Sequence, residues 1–180
     1  MVAGVRVKPR KKARPVIPRI GMMLGYGGVI PFAATAMLVA TTWPSETGHD
    51  VLQAQILYAA IVLSFLGGVR WGAVMAQFGD MATRPPHAMG PAMIRAVIPP
   101  VAGWLCVLVP PAGALTALSL IYLGQYLGDM AAAKNGTLTQ WYGALRGPLT
   151  LLAVGSLLVS LITILGFDVF EFVVAFLEKP

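Results

Sequence analysis

The sequence predicts an all-α integral membrane protein: a five-helix transmembrane bundle followed by a short amphipathic helix at the membrane surface. Composition is the first reason, because 57% of the 180 residues are hydrophobic and 11% are charged, whereas a water-soluble domain needs more charge to cover its surface. The second reason is that five apolar stretches are each long enough, or nearly so, to cross a bilayer. These stretches are continuous rather than alternating, which favours helices over a β-barrel.

The five predicted spans are joined by short connectors. The third and fourth form a tight hairpin through the Pro110-Pro111 pair, which interrupts a helix. Within the third span, Pro99-Pro100 are expected to kink or break the helix and so free backbone carbonyls. Pro148 is expected to open the fifth span, because proline is tolerated best in the first turn of a helix. The spans cover about residues 20–43, 52–78, 93–109, 113–133 and 148–166.

The two ends of the chain differ in charge and lie outside the predicted bundle. Residues 1–19 contain seven cations and no acid, which is typical of a disordered cytoplasmic tail that also favours anionic headgroups. The tail has no aromatic residue for base readout, so no nucleic-acid partner is predicted. Residues 167–180 are amphipathic. They either lie along the membrane surface or dock on a neighbouring membrane protein through Phe170, Phe172 and Phe176.

The distribution of charge predicts an amino terminus inside and a carboxyl terminus outside, because Lys and Arg that flank spans are retained in the cytoplasm. The tail supplies seven cations to one side, and Arg84, Arg95, Lys134 and Arg146 add to the same side as connector residues. The opposite side has Lys179 as its cation. It also collects most of the acids, namely Glu46, Asp50, Asp168, Glu171 and Glu178.

Two ionisable residues lie deep in predicted spans, where an unpaired charge is costly. Arg70 is in the second span and Asp129 is in the fourth. Both spans run from outside to inside, which places the two side chains at similar depth, and a salt bridge between them is predicted. The polar residues of the fourth span follow the spacing of one helix face, and Gln77 extends the same network from the second span. The predicted network consists of Arg70, Gln77, Tyr122, Gln125, Tyr126 and Asp129.

Small residues predict where helices approach one another closely. On the second span, Ser64, Gly68 and Gly72 form a small-residue ridge, and such ridges are typical of helix contacts in membranes. Arg70 and Gln77 point to nearly the opposite side, so the second span is expected in the middle of the bundle. Gly21 and Gly25 repeat the spacing on the first span, which is therefore the expected partner of the ridge.

The polar network has two interpretations, one structural and one functional. It either fixes the register of the helices or forms a ligand or proton site. The sequence contains no recognisable catalytic motif, and His49 and His87 lack a partner at metal-binding spacing. No catalytic residue, no metal and no cofactor are therefore predicted, and the chain is expected not to be an enzyme.

Four runs of residues resemble a family of small multi-span membrane proteins. These runs are Leu63-Ser-Phe-Leu-Gly-Gly-Val-Arg-Trp-Gly72, Tyr122-Leu-Gly-Gln-Tyr-Leu-Gly-Asp129, Gln140-Trp-Tyr and Leu145-Arg-Gly-Pro-Leu-Thr150. The family includes transmembrane protein sixty-nine and has proteobacterial and mitochondrial members, and the resemblance covers residues 18–165. The resemblance implies a domain of unknown function in a bacterial cytoplasmic membrane or a mitochondrial inner membrane. It also implies a link to respiratory or related energy-converting membranes. It supplies no catalytic residues.

Two functional hypotheses follow from these observations. The first is a non-catalytic accessory, assembly or interaction subunit of a larger energy-transducing membrane complex, because the chain is small, has minimal loops and carries glycine ridges. The second is a small transporter or a lipid- or ligand-binding protein that uses the Arg70 and Asp129 network. The expected partners are membrane lipids and either a larger complex or further copies of the chain. The expected location is the bacterial inner membrane, with the mitochondrial inner membrane as the alternative.

Overall fold

The computed structural model describes residues 16–78 and 89–166, and within these ranges the chain is helical. The predicted tail up to residue 15 and the predicted amphipathic segment 167–180, with Phe170, Phe172 and Phe176, lie outside the described residues. The described helices are α1 (Arg19–Gly27), α2 (Ile30–Thr42), α3 (Glu46–Phe78), α4 (Met89–Val107), α5 (Pro111–Lys134) and α6 (Gln140–Ile164).

Four described stretches are long and apolar enough to cross a membrane: Arg19–Thr42, which combines α1 and α2, then Glu46–Gln77, Met89–Val107 and Gln140–Ile164. Helix α5 has 24 residues, but its polar face lowers its hydropathy. The prediction of an all-α membrane protein is therefore confirmed.

The helices alternate in direction. Helices α3 and α5 run parallel, because Ala59 lies opposite Tyr122 and Arg70 lies opposite Asp129. Helices α4 and α6 run the other way, with α4 packed along α3 and α6 packed along α5. This arrangement gives the bundle two ends of different character. We call the end where α3 and α5 finish the polar end, and the end where they begin the aliphatic end.

The aliphatic end contains most of the hydrophobic core. Leu52 and Ile56 of α3 pack with Leu115 and Leu118 of α5 and with Leu157 of α6, and all five side chains are at most 1% exposed. Large apolar side chains also face outward from the helices, as expected for a surface that contacts lipid. The hairpin predicted between the third and fourth spans is present, because α4 ends at Val107 and α5 begins at Pro111.

Several helices begin earlier than predicted, and the difference is largest for α3 and α6. Helix α3 starts at Glu46 rather than near residue 52, because the Ser45 hydroxyl accepts a hydrogen bond from the Gly48 N–H at 3.2 Å and so caps the first turn. Helix α6 starts at Gln140, so the prediction that Pro148 opens this helix is wrong. Proline is tolerated inside membrane helices because neighbouring groups satisfy the backbone carbonyl that it leaves free.

The first predicted span is two helices with a break at Gly28 and Val29. Pro31 lies in the first turn of α2, where it lacks the N–H that would continue the hydrogen-bond ladder of α1. The Tyr58 hydroxyl of α3 donates a hydrogen bond of 2.8 Å to the Gly28 carbonyl. This bond ties the break to α3.

The two prolines of α4 do not end that helix, which continues from Met89 to Val107. Pro100 has no N–H to donate to the Ala96 carbonyl one turn earlier, and α3 covers that carbonyl with a glycine. A Cβ at Gly67 would lie 2.6 Å from the Ala96 oxygen and from the Pro100 ring. The Ala96 carbonyl that Pro100 leaves without a hydrogen bond therefore lies at a close contact between α3 and α4, and it does not line an open cavity.

The small-residue ridge has a different environment from the one predicted. Gly21 faces the Trp141 ring and Gly25 faces Leu149, so α1 packs on α6 and not on the ridge of α3. A Cβ at Gly68 or Gly72 would meet no atom within 4 Å among the described residues. The prediction that these two sets of glycines are partners is wrong. The ridge faces outward, because α3 packs against α4 through the adjacent face that contains Gly67.

Candidate functional site

A buried cluster of charges joins three helices near the polar end. The Asp129 carboxylate of α5 is fully buried and accepts a hydrogen bond on each oxygen from an arginine. The Arg70 Nε of α3 lies 3.0 Å from Oδ1, and the Arg146 Nε of α6 lies 2.9 Å from Oδ2. The predicted ion pair between Arg70 and Asp129 is therefore present. We call Arg70, Asp129 and Arg146 the ion centre.

The other polar residues predicted on α5 surround the ion centre in different ways. Gln125 Nε2 donates to Asp129 Oδ1 at 3.1 Å, so it supports the carboxylate directly. The Tyr122 hydroxyl donates to the Ala59 carbonyl at 2.9 Å and holds α5 against α3. Tyr126 is half-buried, and its ring lies against Gly147 of α6.

Gln77 lies nearer the end of the bundle. Its Nε2 donates to the Gly136 carbonyl at 3.3 Å, which connects the last turn of α3 to the turn after α5. The structure thus brings Arg70, Gln125 and Asp129 together and places Tyr122 and Gln77 in contacts with backbone carbonyls.

Arg146 is predicted from the sequence to be a connector cation outside the membrane, and this prediction is wrong. The residue lies inside α6 and is 5% exposed, because the helix begins well before it, at Gln140. A signal was available in the sequence: Arg146 precedes Thr150, Ala153, Leu157 and Ser160 at helical spacing. All of these positions are buried on one face of α6.

The ion centre contains more positive than negative charge. Two guanidinium groups share one carboxylate, and arginine is effectively always protonated in proteins. The other carboxylates in the described ranges, Glu46 and Asp50, lie at the first turns of α3, at the aliphatic end. One positive charge in the centre is therefore unbalanced by any described side chain.

Two cavities adjoin the ion centre, one lined by Arg70 and the other by Arg146. The polar cavity, of about 350 Å³, lies between α3, α4 and α5, and it is lined by Arg70 and Arg95 together with Asn135 and Thr137. Gly128 provides room for Arg70, since a Cβ at this position would collide with the guanidinium group.

The apolar cavity, of about 370 Å³, lies between the break of α1 and α2, helix α3 and helix α6. Its walls include Phe32, Val62 and Phe65, and Arg146 lines it together with the two tyrosines of α3 and α5. The Arg146 Nη2 atom is buried and has no hydrogen-bond partner among the described residues. This atom has almost no accessible surface, so an acceptor in the cavity satisfies it only after a small shift of the Arg146 side chain.

The chemistry of the site suits ligand binding better than metal binding. Among residues 16–78 and 89–166, no group of three His, Cys, Asp or Glu residues could hold a metal ion. The ion centre itself offers guanidinium donors, which repel cations and bind carboxylates and phosphates in fixed geometry.

Comparison with known proteins identifies relatives whose function is not described. The model of the family described as "Protein of unknown function (DUF3429)" matches residues 17–162. A protein named Transmembrane protein 69 from Xenopus tropicalis is 34% identical over 158 residues. The match covers 84% of this chain and 57% of that relative, so the chain spans little more than half of the relative's length. No solved structure matches the chain.

Proposed function

Because this chain belongs to the membrane-protein family described as "Protein of unknown function (DUF3429)", we propose its function from its own geometry: it binds an acidic amphiphile at the ion centre, without catalysis. The observation that carries this proposal is the shared carboxylate, in which the buried Arg146 and the half-buried Arg70 pair with a single buried aspartate. In this proposal the chain is a multi-pass membrane protein, and an acidic ligand from the membrane neutralises the excess positive charge of the ion centre.

The proposal includes a topology of five spans, with α5 as the fourth, the amino terminus in the cytoplasm and the carboxyl terminus outside. The described cations support this orientation. Arg19, Arg95 and Lys134 lie at the polar end, whereas Glu46 and Asp50 lie at the aliphatic end. The polar end then faces the cytoplasm. We place the chain in the bacterial cytoplasmic membrane, and the mitochondrial inner membrane is the alternative.

The energetic reason for a ligand is the cost of an unbalanced charge in a low-dielectric bundle. Desolvating an ion without full compensation costs several kcal/mol, and the effect is greater where lipid rather than water surrounds the helices. An acidic group beside the ion centre removes the imbalance and satisfies the free guanidinium donor. The binding energy of such a ligand therefore stabilises the fold.

A thermal-unfolding experiment tests this proposal. Protein in phosphatidylcholine nanodiscs is titrated with oleate and, separately, with methyl oleate, which has the same chain and no charge. We expect oleate to raise the unfolding temperature and methyl oleate to leave it unchanged, because a ligand that binds the folded state at 100 times its Kd adds about 2.7 kcal/mol. Phosphatidylglycerol serves as a second acidic amphiphile. No response to either acid, or equal responses to the acid and its ester, contradicts the proposal.

A second candidate function is the one favoured by the sequence: an accessory or interaction subunit of a larger energy-transducing complex. The observation in its favour is the outward ridge of Ser64, Gly68 and Gly72, which is exposed while Gly67 on the adjacent face is closed by α4. A flat glycine surface lets the helix of another membrane protein approach closely.

Crosslinking in native membranes tests the accessory function. A photoreactive residue in place of Gly72 is expected to capture one partner protein in fixed ratio, while the same residue in place of Leu127, on the exposed face of α5, captures none. Recovery of lipid adducts at both positions contradicts this candidate.

A further inference from the structure

We propose that the apolar cavity between the α1–α2 break and α6 is the binding site of a long-chain carboxylate, with the Arg146 guanidinium group donating to its acid group. This inference rests on the proposed function and names its site and ligand class. Of the two cavities beside the ion centre, the apolar cavity is the proposed site.

The lining of the cavity suits a hydrocarbon chain. Aromatic and aliphatic side chains form its walls, among them Phe32, Val62, Phe65 and Leu149. Phe65 is 67% exposed and Ile61 is 64% exposed, so the rim of the cavity is continuous with the lipid-facing surface. An acyl chain can therefore enter sideways from the bilayer and remain in apolar surroundings.

The break between α1 and α2 creates this cavity. Gly28 and Val29 form part of its lining, and a continuous helix would place side chains along this face. The hydrogen bond from Tyr58 to the Gly28 carbonyl holds the break in place. The T-shaped contact of Phe32 with Tyr58, at 5.1 Å between ring centroids, fixes the aromatic wall.

The acid end of the ligand is specified by Arg146. This residue is only 5% exposed, and its Nε is already bonded to Asp129. Its Nη2 has no partner among the described residues and belongs to the side chain that lines the apolar cavity. A carboxylate there accepts a charge-assisted hydrogen bond and neutralises the excess charge of the ion centre.

The polar cavity fits this ligand less well. It is lined by Arg70 and Arg95 with amide and hydroxyl groups, and its apolar lining consists of small side chains such as Val74 and Ala131 rather than of aromatic rings. Both Nη groups of Arg70 lie close to Gly128 of α5. A phosphate headgroup is the chemistry that this second cavity suits, and its binding there is the competing outcome of the test.

Photolabelling locates the site. Protein in phosphatidylcholine nanodiscs is irradiated with a palmitate analogue that carries a diazirine in its chain, and labelled peptides are identified by mass spectrometry. We expect adducts on α2 and on residues 58–65 of α3, at least fivefold reduced by oleate and unaffected by methyl oleate. Labelling spread over α4 and the outer face of α5, or competition by the ester, overturns the proposal.

Variants separate this inference from the proposed function. Val62→Phe fills the cavity and is expected to reduce labelling at least fivefold, whereas Ile98→Phe, on a separate outward groove between α3 and α4, leaves it unchanged. Arg146→Gln removes the positive charge and the charge-assisted hydrogen bond and leaves Arg70 and Asp129 as a balanced pair, so the protein is expected to fold and to lose labelling. Arg95→Gln is expected to have no effect.

The outcomes are distinguishable. If oleate stabilises the protein but Arg95→Gln abolishes this effect while Val62→Phe does not, the acid binds in the polar cavity, and the inference fails while the proposed function stands. If oleate neither stabilises the protein nor competes for labelling, both fail. If Arg146→Gln does not fold, the comparison of Val62→Phe with Ile98→Phe still decides the site.

Discussion

The polar end and the aliphatic end of the bundle are held together by different forces. At the aliphatic end, side chains such as Leu115 and Leu157 fill the space between helices, and lipid outside is as apolar as the core inside. Burial there adds van der Waals contact but no hydrophobic driving force. At the polar end, Asp129 accepts three hydrogen bonds from two arginines and Gln125. Directional, charge-assisted bonds therefore set how α3, α5 and α6 meet.

The largest effect expected from this comparison is that of Asp129→Asn. The variant keeps the shape of the side chain but leaves both Arg70 and Arg146 without a counter-charge. Breaking a buried ion pair by removing one partner costs about 3–5 kcal/mol. We therefore expect the free energy of unfolding, measured by denaturant or heat in nanodiscs, to fall by about this amount.

The matched control is Asp50→Asn in the exposed first turns of α3 at the aliphatic end. It removes the same charge from a solvated position and is expected to change stability by less than about 0.5 kcal/mol. A similar loss in both variants would mean that net charge, rather than the ion centre, determines stability. Full stability of Asp129→Asn would mean that the ion centre does not hold the polar end together.

The sequence predicts the contacts of a charged residue at the polar end only when that residue lies clearly within an apolar run. Arg70 and Asp129 stand far inside apolar runs, so the high cost of an isolated charge in lipid is enough to predict their pairing. Arg146 is less conspicuous, because Trp141 and Tyr142 precede it as membrane-interface aromatics do and Pro148 follows it as a helix start does. Its burial depends on the earlier start of α6, which tertiary contacts with α1 and α5 favour.

The glycines show the same limit on prediction. Spacing alone identifies a small-residue ridge but not the helix that covers it, since any helix can approach glycine closely. Gly67 and Gly68 are neighbours in the chain, yet Gly67 faces α4 and Gly68 is open among the described residues. The difference arises from the rotation of α3 in the bundle, which the ion centre helps to fix.

A smaller effect is expected from Leu115→Ala at the aliphatic end. Leu→Ala substitutions in cores cost about 2–5 kcal/mol in water-soluble proteins, where the lost transfer energy adds to the cavity. In a membrane the transfer part is largely absent, so we expect the free energy of unfolding to fall by about 1–2 kcal/mol. The control is Leu120→Ala on the same helix, which is 64% exposed to the surroundings and is expected to have no measurable effect. If Leu115→Ala lowered the free energy of unfolding more than Asp129→Asn does, the aliphatic end would contribute more to stability than the ion centre.

The smallest effect is expected from Gly128→Ala, which tests how rigid the polar end is. A Cβ at this position collides with the Arg70 guanidinium, so Arg70 has to shift and its bond of 3.0 Å to Asp129 weakens. The polar cavity beside Arg70 gives the side chain room to move, and the second bond from Arg146 to Asp129 remains. Relative to an alanine at an unobstructed position of the same helix, we therefore expect a loss of about 0.5–1 kcal/mol, the typical net value of one hydrogen bond.

Gly124→Ala is the matched control for Gly128→Ala, one turn earlier on α5, where a Cβ meets nothing within 4 Å among the described residues. It is expected to leave stability unchanged or to raise it slightly, because alanine favours the helix by up to about 1 kcal/mol over glycine. The difference between the two variants, measured in the same nanodiscs, then reports the Arg70 contact alone. Equal values for the two variants would mean that Arg146 suffices to hold Asp129 and that Arg70 is free to serve the polar cavity.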